Sequence, residues 1–266
     1  MMRLALIYPA ILITGLLGGC DSARAPKQPQ GTLLQGTPEQ SKENESLQPY
    51  LLEAAATATA NHEYGEAASY WGAIYEADPA DLNAALQWAI NLRYSGNAGD
   101  AVNVLNFALQ SKPDELRLLA ERGKAYAALG TVEPALADIS RVAAAMPSDW
   151  TVHSTHGIIL DRMGKHDEAQ NAYRKALALS ADNPKILNNL ALSTALAGRH
   201  DEALEILRRA ARLPSAGTHI RQNLSLLLAM KGEIGQAEQL VRADLPNKMA
   251  EKNLAYYEGL LEETIP

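Results

Sequence analysis

One cysteine and one phenylalanine are all that this 266-residue chain has of either type. A lone thiol, Cys20, has no partner for an internal disulfide. Basic charge is also short, with 24 lysines and arginines against 31 acidic side chains and a formal net charge of −7. A phosphate backbone calls for a basic stripe, so nucleic acid is not an expected partner. Glycine-rich phosphate loops, nucleophile elbows and activated cysteines are missing as well, which leaves no small-molecule substrate or cofactor to predict. His153 and His156 lie three apart, a spacing open to zinc, and a zinc hydrolase is the enzymatic alternative. No third ligand or glutamate completes a metalloprotease motif, so no metal site is expected and both residues are read as packing histidines.

What the chain has in quantity is repetition. Ala67, Ala101, Ala135, Ala169, Ala203 and Ala237 recur every 34 residues, and Gly96, Gly130, Gly164, Gly198 and Gly232 keep the same period. Ala89, Gly123, Gly157, Ala191 and Ser225 supply a second small residue in the same register. Small side chains at both places let two antiparallel helices approach closely, and a glycine after the first helix ends it at little steric cost. Larger side chains fill the seam at Trp71, Leu105, Ile139, Tyr173, Leu207 and Val241. Pro79, Pro113 and Pro147 close the second helices of the first three units.

This period resembles the tetratricopeptide repeat, a helix-turn-helix unit stacked into a solenoid. The expected fold is all-α, a right-handed superhelical solenoid of six units, 48–81, 82–115, 116–149, 150–183, 184–217 and 218–251, with a capping helix over 252–266. The outer units depart from the pattern, with His62 in place of the turn glycine and Asp244 in place of the late small residue. Met249, Asn253, Tyr256, Tyr257, Leu260 and Leu261 mark the cap at mostly helical spacing. Asp167 and Asp201 suit helix N-termini, where a carboxylate accepts backbone donors.

The resemblance implies that first helices line a concave groove. That rule selects Asn83, Leu86, Ile90, Arg93 and Tyr94, then Arg117 and Lys124, then Asp161 and Arg162, then Lys185, Asn188, His219, Gln222 and Met230. Such a mixture suits an extended peptide, whose backbone wants amide partners and whose carboxylates want cations.

The first residues read as an export signal. Arg3 precedes an apolar run from Leu4 to Leu17, too short to cross a bilayer comfortably, and Leu17-Gly18-Gly19-Cys20 resembles a bacterial lipobox. That resemblance implies a signal peptide over 1–19, lipid on Cys20, and a flexible tether over the rest of 20–47.

From about residue 150 to 257 the chain resembles the TadD family, tetratricopeptide lipoproteins of Flp (Tad) pilus machines. The match runs through Asn188-Asn189-Leu190-Ala191-Leu192, Arg208-Arg209-Ala210-Ala211 and Ile220-Arg221-Gln222-Asn223-Leu224-Ser225-Leu226. It continues in Gln236-Ala237-Glu238, in Arg242-Ala243-Asp244-Leu245-Pro246, and at Asn253 and Tyr256. It implies a non-enzymatic pilotin or assembly factor for a pilus secretin, anchored by lipid and facing the periplasm. The outer membrane is favoured, and Asp21 after Cys20 keeps the inner membrane open. A general envelope adaptor that scaffolds cell-wall enzymes would share every repeat feature.

Overall fold

The structure is a computed structural model and describes residues 38–262. Among the described residues every regular element is a helix, and the helices form two compact units divided at Gly130. The first unit holds α1 (Pro38–Ala60), α2 (Tyr64–Ala77), α3 (Leu82–Tyr94), α4 (Ala98–Ser111) and α5 (Leu116–Leu129). The second holds α6 (Val132–Ala145), α7 (Trp150–Arg162), α8 (His166–Leu179), α9 (Pro184–Leu196), α10 (His200–Ala211), α11 (Thr218–Met230), α12 (Ile234–Asp244) and α13 (Asn247–Glu262). Within each unit a helix packs on its neighbours in sequence, and first helices of successive repeats also touch, as in α3 with α5 and α7 with α9.

The period explains the packing. All six recurrent alanines are fully buried, and Leu105, Ile139, Tyr173, Leu207 and Val241 close around them. The five turn glycines hold φ between 73° and 89°, a left-handed conformation that costs other residues energy. His62 takes the same place at φ 65° and bears that strain with a side chain. First helices are capped by side chains in three places: Asp81 accepts from the amides of Asn83 and Ala84, Asp149 from Thr151, and Asn183 from Lys185 and Ile186. Asp167 and Asp201 do not cap in this way. They stand in first turns and take cations from the next repeat, Arg199 at 3.2 Å and Lys231 respectively.

Two expectations about the ends are corrected. Helix α1 begins at Pro38, so 38–47 is helical where tether was expected. Glu, Gln and Lys in that stretch are good helix formers, and proline is accepted at a first helical position. At the other end α13 starts at Asn247, ahead of 252, and of the residues expected to mark the cap Tyr257 lies in its buried stripe. Ala250, Leu254 and Tyr257 face the core formed with Ile220, Leu224 and Val241, while Met249 and Tyr256 are exposed. The Tyr257 hydroxyl meets Ser225 Oγ at 2.7 Å, and Arg221 Nε donates to both oxygens of Asp244, at 2.9 and 2.7 Å. Polar bonds thus tie α13 to α11 and the end of α12 to α11.

Candidate functional site

In the first unit the predicted groove residues converge on an acid that the sequence reading did not single out. Glu121 of α5 has a side chain only 3% exposed, and it accepts from Arg93 Nε of α3 at 2.5 Å and from Lys124 Nζ at 3.3 Å. Burial alone would lower the Arg93 pKa, and the Glu121 carboxylate with a smaller share from Tyr94 more than offsets this, leaving it raised. The Arg93 guanidinium also lies 4.3 Å from the centre of the Tyr94 ring, which stacks on Tyr64 at 4.9 Å, and Tyr64 stacks on His62 at 5.6 Å. Two of the predicted groove cations are therefore committed internally. Arg117 reaches Glu115 at 3.4 Å on the surface, and Asn83 is exposed.

The second unit has a different centre. Asp161, at the end of α7, accepts from His166 Nδ1 at 2.9 Å, from Ser193 Oγ at 2.6 Å and from the Tyr173 hydroxyl at 2.9 Å. Burial and this carboxylate push the Tyr173 pKa well up. Serine, histidine and aspartate meet here, but the serine gives its proton to the carboxylate rather than to the imidazole, so the arrangement is not a nucleophilic triad. Its work is to join repeats: Ser193 lies on α9 and Asp161 on α7. Thr59 and Asn91, in contact at 3.4 Å in the first unit, occupy the same two places three 34-residue periods earlier.

Asn188, expected to face a ligand, is buried and accepts from Asn223 Nδ2 at 2.8 Å. Its amide is spent on the neighbouring repeat. Arg162, Lys185 and His219 are exposed and Gln222 is half-buried, so these four carry what the second unit offers along its first helices. Tyr94 and Met230 are exposed at the ends of their helices. Cys20 lies outside the described residues.

The histidine pair follows separate partners. His153 is buried with Nε2 2.8 Å from the Pro147 carbonyl, so that nitrogen must carry a proton and cannot offer a lone pair to a metal. His156 sits 3.4 Å from Ser140 Oγ, and burial, then His153 and Lys175, lower its pKa. Among the described residues no three His, Cys, Asp or Glu side chains gather as a metal site. No described helix is long and apolar enough to cross a membrane.

The tetratricopeptide repeat family model matches residues 86–149 and 155–217. No curated protein matches the sequence. Among solved structures, MamA of MSR-1 is 26% identical with a TM-score of 0.50, over 61% of this chain and 94% of that one. A structure of MamA, residues 41 to the end, from Desulfovibrio magneticus RS-1 is 20% identical with a TM-score of 0.55, over 62% and 94%. The helix pairs over 86–149 and 155–217 are tetratricopeptide repeats, and the second likeness is one of fold alone.

Proposed function

We propose that this chain is a non-enzymatic, lipid-anchored scaffold facing the periplasm, acting as pilotin or assembly factor for the secretin of a Flp (Tad) pilus. The observation that carries the reading is the C-terminal one. Arg221 and Asp244, in stretches that resemble TadD where the last repeat departs from the general pattern, bond to each other there, and Ser225 of the same repeat meets Tyr257 of the cap. Generic repeats need neither contact, so the likeness there follows a specific way of ending the array. The exposed first-helix residues Arg162, Lys185, His219 and Gln222 supply cations and an amide for an extended segment of the partner. The outer membrane is the proposed location, with the inner membrane as the alternative that Asp21 keeps open.

A deletion strain tests the reading. Secretin multimers should fail to assemble or reach the outer membrane, and piliation should be lost, whereas normal multimers and normal pili would remove the pilotin mechanism. Arg162→Glu and Lys185→Glu should each weaken co-purification of the partner without loss of helicity, since both side chains are exposed. The second reading, a general envelope adaptor, gains support from the repeats themselves, which suit many protein partners. Cell-wall enzymes rather than pilus components in the co-purified material would favour it.

A further inference from the structure

On the first unit a cavity of about 370 Å³ opens between α2 and the α3–α4 region. That is at the small end of ligand pockets, with room for a side chain and its adjoining backbone rather than a helix. Its floor is built from small residues of α2, including Ala68, Gly72 and Ala73, and one wall is the Trp88 indole. A Cβ added at Gly72 would stand 3.0 Å from Trp88 Cε2 and 3.2 Å from its Nε1, so the glycine is what lets the ring lie against the helix. The Trp88 Nε1–H has no hydrogen-bond partner among the described residues, and Tyr75 packs on the ring at 6.0 Å between centroids. Glu76 is the only charged residue in the lining, exposed and without an ion-pair partner among the described residues.

This space is not a property of the repeat. One period apart, the counterparts of Gly72 are Asn106, Ser140, Arg174, Arg208 and Arg242, and those of Trp88 are Ala54, Arg122, His156, Leu190 and Leu224. Only here does a missing side chain face an indole.

We propose that the cavity is a docking site for an arginine side chain of a partner protein. The aliphatic stem lies on the small-residue floor, the planar guanidinium stacks on Trp88 and pairs with Glu76, and a backbone carbonyl of the same partner segment accepts from Trp88 Nε1. Charge settles the class of guest: Glu76 is the one ionised group in the lining and no cation stands beside it, so an acidic side chain or a phosphate would meet repulsion with only the neutral donors of Ser69, Ser95, Asn97 and the indole to offset it.

The test is an NMR titration of the full chain, following indole N–H resonances with the blocked tripeptide acetyl-Gly-Arg-Gly-amide and its alanine and glutamate counterparts. Trp88→Phe identifies the Trp88 signal by its loss. The arginine peptide should shift that signal saturably in the millimolar range, the other two should not, and Glu76→Gln should weaken the arginine response about fivefold, as loss of a partly exposed charge pair implies. Because Glu76 has no partner to lose, the variant should keep the parent melting temperature. Equal responses to the glutamate peptide, no shift at ~20 mM of the arginine peptide, or an unchanged response in Glu76→Gln would each overturn the assignment.

Discussion

At the scale of the residue, side chains that look available on a single helix are committed to partners about one period away. Arg93 and Glu121 are 28 positions apart and Asn188 and Asn223 are 35, so no reading of one helix face sees either pair. Removing one partner of such a pair is costly, because the other is left buried with its charge or donor unmet. Glu121→Ala should cost about 3 kcal/mol in urea unfolding, and removing both charges, Arg93→Met with Glu121→Leu, should recover most of it. His156 sets a pH dependence. Its folded pKa lies below the ordinary value of 6.5, so below that pH the unfolded chain binds a proton that the folded chain resists. Stability should fall as pH drops through 6.5 toward the folded value, and His156→Gln should flatten that slope relative to the parent in melting curves taken across the range. His200, the repeat counterpart of His166, has its Nδ1 buried without a partner among the described residues, whereas His166 Nδ1 holds Asp161. The period thus repeats the histidine's place and not its bond.

Elements were more legible than side-chain partners. The helix pairs follow from residues that answer backbone geometry alone: alanine at the crossing, glycine at the left-handed turn, proline after the second helix. The ends were less legible because no neighbour fixes their phase. In α13 two stripes compete, Met249-Asn253-Tyr256 and Ala250-Leu254-Tyr257, and contact with Ile220 and Val241 selects the second. In α1 a polar composition that reads as tether is equally that of a helix with little to bury. The crossing of α7 and α8 offers a direct check on element packing. A Cβ at Gly157 would stand 2.5 Å from Tyr173 Cε1, so Gly157→Leu must displace a ring held by Asp161. We expect a loss of about 1–3 kcal/mol or more in thermal or urea unfolding, and an unaltered profile would mean that the two helices do not cross there.

For the whole molecule, the proposed anchor governs where the repeats can act. Several acyl chains hold a protein on a membrane stably, whereas one chain binds reversibly. Replacing Cys20 by serine should therefore release the protein from envelope membranes or leave it unprocessed, as read by fractionation and mass spectrometry. A processed Cys20→Ser protein that stays on the membrane would end the lipoprotein proposal. If the anchor holds and the pili are unaffected, the general adaptor becomes the better account.

The bonds around Asp161 also bear on how such a chain can change length. Excising residues 165–198 would join Gly164 to Arg199-His200-Asp201-Glu202-Ala203, nearly reproducing the junction that was there before. The backbone would accept this splice, since the left-handed glycine and the crossing alanine both survive it. Asp161 would keep a histidine partner, His200 in place of His166, but would face Leu207 and Leu227 where Tyr173 and Ser193 had stood, so two of its three donors give way to hydrocarbon. Loss of a whole module is thus seamless in shape and penalised in chemistry, which gives each copy in the array an address and makes its order heritable.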